Sequence, residues 1–301
     1  MIEVQGLTKR YGDREAVSNL SFAVPRGRVT GFVGPNGAGK STTMRMILGL
    51  AAPDGGAALV DGHPYGELHA PLRQVGALLE ATALHPGRRA NDHLLWLAES
   101  NDIPKGRVAE VLDLAGLTQV AGRRAGGFSL GMRQRLGIAA ALLGDPPALI
   151  LDEPVNGLDP EGVRWIRGLL RALAAEGRAV LVSSHLMSEL EDTADHVVVI
   201  GRGKLIADAP VAELVAAASD ASVTLRTPDT AAAMRAMTDF GAVVTSPGGD
   251  VLSVVGLAAD EVAELMAARG LRLYELTPHR ATLEEAYMSL TQDAVEYEAH
   301  R

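Results

Sequence analysis

The first two thirds of the chain alternate short, continuous apolar runs with segments whose apolar residues recur at helical spacing. Three runs have the composition of strands buried on both faces: Val29–Val33, Pro147–Asp152 and Arg178–Ser183. Helical spacing covers Ser41–Leu50 and most of residues 90–143. Because such alternation is typical of a parallel sheet covered by helices, it predicts an α/β domain over residues 1–217, with a helical subdomain at about 90–143 inserted into the sheet order.

The pattern changes near Pro210, where a second domain is predicted. Strands are expected at Ser222–Arg226, Ala242–Ser246, Val251–Val255 and Leu271–Leu276, and helices at Thr230–Phe240 and Ala259–Arg269. This order predicts a small ferredoxin-like α+β domain over residues 218–290. A last amphipathic helix is expected at Ala281–Leu290, and residues 291–301 have the composition of a polar tail.

Composition and charge narrow the functional classes. The formal charge of −9 and the isoelectric point near 5.4 argue against a nucleic-acid groove and against direct docking on anionic lipids. The chain has no cysteine, which excludes disulfides and thiolate metal clusters. No secretory signal or apolar run of roughly 20 residues is visible, so we expect a cytoplasmic chain that reaches a membrane only through a protein partner.

A glycine-rich segment after the first buried strand carries the clearest chemistry. It consists of Gly34, Pro35, Asn36, Gly37, Ala38, Gly39, Lys40, Ser41 and Thr42. The segment fits the phosphate-binding loop, in which backbone N–H groups and a helix N-terminus surround a phosphate and a lysine reaches the outer phosphates. It predicts a P-loop NTPase core that binds ATP, with Ser41 as a ligand of Mg²⁺.

Two acids follow the apolar run at Leu149–Leu151. Asp152 is expected to hold Mg²⁺, and Glu153 to orient or deprotonate the attacking water. His185 ends the next apolar run and is a candidate contact for the terminal phosphate. The alternatives are an ordinary solvated pair of carboxylates and a structural histidine.

A further segment, Phe128–Arg135, separates this sequence from other P-loop ATPases. Together with the phosphate loop, Asp152-Glu153, Gly157-Leu-Asp159 and His185, it resembles the nucleotide-binding subunits of ATP-binding cassette (ABC) transporters over about residues 1–215. The resemblance implies that Ser129 and Gly131 contact the nucleotide of a second subunit and that Asp159 lies where the two sites sense each other. It also implies that Tyr11 stacks on adenine. The alternatives are a plain turn before Pro160 for Asp159 and an ordinary strand-edge tyrosine for Tyr11.

Two departures from the common family pattern are visible. The signature reads Phe128-Ser-Leu-Gly-Met132 and keeps the serine and the second glycine. Glu80 stands where the family usually has a glutamine, and its carboxylate is a candidate Mg²⁺ ligand. These features resemble the bacitracin-resistance and lantibiotic-immunity branch, and the C-terminal block is similar to that of daunorubicin-type exporter subunits.

The resemblance implies an ATPase that closes as a dimer, expected to be a homodimer, on two ATP-Mg²⁺ and drives a separate membrane permease. It places the chain at the cytoplasmic face of the membrane and favours export of an antibiotic, peptide or lipid-like compound. Two alternatives stay open at this point. One is a signalling or immunity complex that senses an antibiotic, and the other is a nucleic-acid or ribosome-associated ABC protein.

Overall fold

A computed structural model describes residues 1–81, 83–218, 222–279 and 281–295, with the side chains of 289 and 291–295 left out. The described chain contains two compact units, one holding Met1–Val211 and the other Ala212–Leu290. The last six residues of the predicted polar tail, 296–301, lie outside the described residues.

The first unit contains nine strands and six α-helices among its described residues, and a seventh α-helix begins at its boundary. The strands are β1 (Ile2–Tyr11), β2 (Arg14–Val24), β3 (Arg28–Val33), β4 (Gly55–Val60), β5 (Val75–Leu78), β6 (Ala148–Leu151), β7 (Ala179–Ser184), β8 (His196–Gly201) and β9 (Lys204–Pro210). The helices are α1 (Lys40–Ile47), α2 (Ala90–Ser100), α3 (Gly106–Leu114), α4 (Leu130–Leu142), α5 (Pro160–Ala175), α6 (Met187–Glu191) and α7 (Val211–Ala218).

A six-stranded sheet forms the centre of this unit, in the order β5-β6-β7-β3-β8-β9. The first five strands are parallel, and only β9 runs antiparallel to its neighbour. Strands β6 and β7 are buried along their whole length, as their continuous apolar sequences predict. The carboxyl ends of β3, β6 and β7 therefore lie side by side at one edge, where the loops that follow them meet.

The helical insert and a second sheet complete the first unit. Helices α2, α3 and α4 lie between β5 and β6 in the chain, so the described structure has helices where the helical subdomain is predicted. The antiparallel sheet β2-β1-β4 includes two strands, β2 and β4, that the apolar pattern does not predict. The residues of β2 alternate between exposed and buried from Asn19 to Val24, and β4 has an apolar run of only four residues, Ala57–Val60, so neither has the pattern of a strand buried on both faces.

The second unit contains β10 (Ser222–Arg226), α8 (Thr230–Asp239), β11 (Val243–Gly248), β12 (Val251–Val255), α9 (Ala259–Ala268) and β13 (Glu275–His279). Its antiparallel sheet has the order β11-β12-β10-β13, in agreement with the predicted ferredoxin-like arrangement. The inward-facing residues of β10 and β12, among them Val223, Leu225 and Leu252, form its core with the two helices.

The last strand of this sheet begins four residues later than its apolar pattern predicts. Leu271 and Leu273 pack against the core from an irregular segment instead of a strand. Arg272 is held there because its carbonyl oxygen accepts a hydrogen bond from Thr227 Oγ1 at 2.6 Å. Pro278 lies within the observed strand, and β13 is at the edge of the sheet, where a residue without an N–H is tolerated.

The final helix, α10 (Leu283–Val295), starts at a capping box. Thr282 N donates to Glu285 Oε2 at 2.8 Å, and Glu285 N donates to Thr282 Oγ1 at 3.2 Å. The helix extends through Val295, so the first five residues of the predicted tail are helical. In the described part of the chain, no helix has the length and apolar character required to cross a bilayer.

Candidate functional site

The phosphate loop lies between the carboxyl end of β3 and the start of α1. A Cβ at Gly34 would lie 2.3 Å from the carbonyl oxygen of Ile200, and one at Gly39 would lie 2.6 Å from that of Ala16. Gly39 also has a positive φ of 107°. These positions therefore require glycine, because the backbone turns tightly under neighbouring strands before α1 begins with its N–H groups free.

Lys40 lies in the floor of this loop, with a side chain that is buried to 7% exposure. Its Nζ donates hydrogen bonds to the carbonyl oxygens of Gly34, at 2.5 Å, and Pro35, at 3.4 Å. Burial lowers the pKa of Lys40, while the nearby carboxylates of Glu153 and Asp152 partly offset that shift. The loop thus holds an ammonium group in a site where an anionic ligand would be favoured.

The two acids at the end of β6 are joined to the start of α1 and to the end of β7 by hydroxyl groups. Ser41 Oγ, at the start of α1, donates to Asp152 Oδ2 at 2.7 Å. Ser183, at the end of β7, donates from Oγ to Asp152 Oδ1 at 2.5 Å and accepts from Glu153 N at 2.8 Å. A hydroxyl and a carboxylate oxygen side by side form the hard oxygen donor set that Mg²⁺ prefers, so Ser41 and Asp152 fit that ion.

Glu153 has a backbone conformation that is uncommon for a residue with a side chain, with a φ of 50°. Its Oε2 lies 2.7 Å from His185 Nδ1, so the predicted acid and the predicted histidine are in contact. Its carbonyl oxygen accepts a hydrogen bond at 3.1 Å from Nε2 of Gln134 on α4. The turn after β6 is therefore held from two sides.

Most of these groups line one cavity of about 740 Å³; Ser183 and His185 are not among its lining residues. Among the residues predicted from the sequence, its walls include Tyr11, Asn36, Gly37, Ala38, Gly39, Lys40, Ser41, Thr42, Asp152 and Glu153. The Tyr11 ring is 53% exposed at the rim. An exposed aromatic ring suits the base of a nucleotide, and the loop N–H groups and the lysine suit its phosphates. The two carboxylates suit the metal and the attacking water.

Other predicted residues lie outside the cavity walls. The carbonyl oxygens of Gly34 and Pro35 accept hydrogen bonds from Lys40 Nζ, and His185 is connected to the cavity through its contact with Glu153. The Glu80 carboxylate pairs with the Arg45 guanidinium at 2.7 Å and lines a neighbouring cavity of about 440 Å³. That pairing leaves its role as a metal ligand a prediction.

The residues predicted to contact a second subunit lie at the starts of helices α4 and α5. Ser129 caps α4, its Oγ accepting from Met132 N at 3.2 Å, and Asp159 caps α5, its Oδ1 accepting from Gly162 N at 2.9 Å. Gly131 lies so close to Gly157 that a Cβ added to Gly131 would be 2.8 Å from the carbonyl oxygen of Gly157. The described structure therefore gives each of the three a local packing or capping role, and the contact of each with a second subunit stays a prediction.

Three residues of the site have no counterpart in the sequence prediction. Arg14 lines the cavity from the start of β2, where it pairs in register with Tyr11. Gln134 lines it from α4, and Ser183 connects the two acids. The spacing of Tyr11 and Arg14 across a two-residue turn could have identified Arg14. Gln134 lies inside Phe128–Arg135, the segment that separates this sequence from other P-loop ATPases, although no role was predicted for it, and no local pattern marks Ser183.

Comparison with known proteins gives the family. Residues 17–156 match the family described as "ABC transporter", and residues 221–284 match one described as a "domain of unknown function (DUF8746)". The "uncharacterized ABC transporter ATP-binding protein YhcH" of Bacillus subtilis is 35% identical over 304 residues, which cover 100% of this chain and 99% of the relative. The "bacitracin transport ATP-binding protein BcrA" of Bacillus licheniformis is 42% identical over 70% of each chain.

The fold also matches a solved structure, the "dimeric structure of a post-hydrolysis state of the ATP-binding cassette MJ0796 bound to ADP and Pi". The TM-score is 0.64 with 24% identity, and the match covers 70% of this chain and 98% of that one. The fold, the phosphate loop and the match along the full length of a relative all indicate the same family. The chain therefore belongs to the ATP-binding proteins of ABC transporters, as an ATP-hydrolysing subunit.

Proposed function

We propose that the cavity at the carboxyl ends of β3, β6 and β7 binds one ATP with Mg²⁺ and that Glu153 serves the attacking water. Lys40 and the loop N–H groups hold the phosphates, Ser41 and Asp152 hold Mg²⁺, and Tyr11 stacks on the base. Mg²⁺ would neutralise charge that develops on the phosphates. The observation that carries this proposal is the meeting of Lys40, Ser41, Asp152 and Glu153 in one cavity.

Within this site, Glu153 acts on the attacking water and His185 holds Glu153. The Glu153 carboxylate orients or deprotonates the water, and His185, at 2.7 Å from that carboxylate, holds Glu153 in place and faces the terminal phosphate. Proton transfer to a positioned base is efficient only when the base has a fixed geometry, which the contacts of Glu153 supply.

The same proposal includes a second copy of the chain. Ser129 lies on the exposed turn at the start of α4, where the helix N-terminus favours an anion. We assign Ser129 and Gly131 to the nucleotide of the partner and Asp159 to the contact between the two sites. The dimeric arrangement named for MJ0796 supports this part of the proposal.

A separate membrane permease completes the assembly that we propose. The cavity of about 440 Å³ beside Glu80 is lined mainly by apolar side chains, and Leu50, at 68% exposure, lies on its wall. An exposed apolar recess edged by the Arg45–Glu80 ion pair suits an amphipathic helix of a membrane partner. We propose that the chain acts at the cytoplasmic face of the membrane. By likeness to the relative named for bacitracin transport, the cargo is an antibiotic, a peptide or a lipid-like compound.

The test of the nucleotide site uses Glu153→Gln, with the exposed Glu213→Gln as its matched control. Glu153→Gln is expected to retain ATP binding, to lower kcat by two orders of magnitude or more, and to accumulate an ATP-bound dimer in analytical ultracentrifugation. Glu213→Gln is expected to behave as the unmodified chain. A Glu153→Gln chain that hydrolyses ATP at the control rate, or stays monomeric in saturating ATP, contradicts the proposal.

The permease is tested by purification. The chain is expected to co-purify from detergent-solubilised membranes with an integral membrane protein, and ATP hydrolysis in that complex should respond to the exported compound. Recovery of the chain without a membrane protein in mild detergent would argue against this part.

A further inference from the structure

Gln134 is a buried polar residue that the assignments above do not use. Its side chain is 3% exposed, on the second turn of α4, and its Nε2 donates to the carbonyl oxygen of Glu153 at 3.1 Å. A buried amide normally has a partner that fixes it, and here that partner is the backbone of the acid next to the proposed attacking water. The contact therefore reaches the reaction through Glu153.

The Glu153 backbone needs such support because its φ of 50° is unfavourable for a residue with a Cβ. Three hydrogen bonds hold it: Ser183 Oγ accepts from the Glu153 N–H, and the Asn156 N–H and Gln134 Nε2 both donate to the Glu153 C=O. The two side-chain bonds come from β7 and from α4. Loss of either side-chain bond weakens the hold on this peptide and lets the carboxylate move away from His185.

The position of Gln134 on α4 has a second consequence. The same helix begins at Ser129, which the proposed function assigns to the nucleotide of the partner subunit. One rigid helix thus carries the group that meets the partner's nucleotide and the group that holds this chain's own Glu153. The start of α4 packs on Gly157 of the turn that follows, and Gln134 is the side chain that joins α4 to Glu153 itself, so a shift of α4 when it meets the partner's ATP is transmitted to Glu153 through Gln134.

We infer that Gln134 is a positioning residue that connects the two nucleotide sites of the dimer. From α4, the helix whose start contacts the partner's nucleotide, it holds the backbone of Glu153 in the conformation that hydrolysis requires. This inference rests on the proposed function, because it uses the roles given there to Glu153 and Ser129.

The experiment compares full-length Gln134→Leu with Gln119→Leu, which changes an exposed glutamine of the same helical region. Folding is followed by circular dichroism, ADP binding by calorimetry, and hydrolysis by kcat and the Hill coefficient for ATP. For Gln134→Leu we expect an ADP Kd within about twofold of the control, a kcat about tenfold lower, and a smaller Hill coefficient. A residue that only fills space would lower thermal stability and leave kcat unchanged well below the melting temperature.

Several outcomes overturn the inference. A folded Gln134→Leu chain whose kcat is within twofold of the control removes the positioning role. A loss of ADP affinity as large as the loss of kcat makes Gln134 a support of the phosphate loop instead. A lower kcat with an unchanged Hill coefficient removes the link between the sites.

Two further arms keep the result interpretable. If Gln134→Leu does not fold, Gln134→Glu, which has the same shape and loses the donor when ionised, is judged by the same criteria. Ser129→Arg and Glu153→Gln are measured in parallel. If both of those hydrolyse ATP normally, the proposed function itself fails; if both are impaired and Gln134→Leu is not, only the present inference fails.

Discussion

Ser183 offers a sharp test of the site because one hydroxyl holds both acids. It is fully buried, donates to Asp152 Oδ1 and accepts from Glu153 N. Ser183→Ala removes both bonds and leaves an N–H group and a carboxylate oxygen without their partner. The change removes a single oxygen atom, so the effect on packing is small.

The magnitude follows from these two bonds. A hydrogen bond to a charged acceptor contributes about 1.5–3 kcal/mol and a neutral one about 1 kcal/mol, so Ser183→Ala should lower the free energy of unfolding by about 3 kcal/mol. For a unit of about 200 residues, this corresponds to a fall in Tm of roughly 6–12 °C. Because both carboxylates lose their orientation, we also expect kcat to fall about thirtyfold and half-maximal activity to require more Mg²⁺.

The next residue supplies a matched control. Ser184 is also buried, donates from Oγ to Glu189 Oε2 at 3.0 Å, and accepts from Leu186 N at 3.0 Å. Ser184→Ala should therefore cost a similar free energy of unfolding without displacing Asp152 or Glu153. Melting curves and steady-state hydrolysis at several Mg²⁺ concentrations, on both variants, separate the two effects. Equal losses of kcat in the two variants, measured well below both melting temperatures, would refute the reasoning.

Two other predictions concern the nucleotide and the second unit. Arg14→Ala should weaken ATP binding about fivefold and leave adenosine binding unchanged, because the guanidinium lies near Gly37 in the wall of the phosphate loop. Calorimetry with both ligands checks this, with the exposed Arg171→Ala as control. An equal loss of adenosine affinity would contradict it. A chain ending at Ala217 should bind ADP with a Kd within about twofold of the full chain, because the cavity walls lie within residues 11–156. The lifetime of its ATP-bound dimer should differ from that of the full chain. Loss of ADP binding would show that the second unit is needed for the site.

The sequence predicts the parts of the site that depend on local chemistry. The phosphate loop is recognisable because its geometry requires glycine at fixed positions, such as Gly34 and Gly39, whatever the rest of the chain does. Asp152 and His185 are predictable because each follows a buried apolar strand, and the ends of neighbouring parallel strands meet at one edge.

Residues whose role depends on distant contacts are not predictable in this way. Ser183 belongs to an apolar strand, and nothing in its surroundings along the chain shows that it joins two acids located about thirty residues earlier. Gln134 likewise lies among residues with helical spacing, and its partner is set by the packing of α4 against the turn after β6. The displaced start of β13 has the same origin, because the bond between Thr227 and Arg272 connects residues that are 45 positions apart.

The placement of the predicted residues divides them into two groups, and this division bears on the shared site. Most of those assigned to the chain's own nucleotide, such as Lys40 and Asp152, converge on one cavity. Those assigned to the partner's nucleotide, Ser129 and Gly131, are at the start of α4 and outside the walls of that cavity. Under the proposed function, a single chain therefore holds the phosphates and the metal but offers no contact from Ser129 to its own ATP, and hydrolysis should depend on protein concentration. A rate per chain that stays constant on dilution far below the dimer Kd would contradict the shared site, even if every residue of the cavity proved essential.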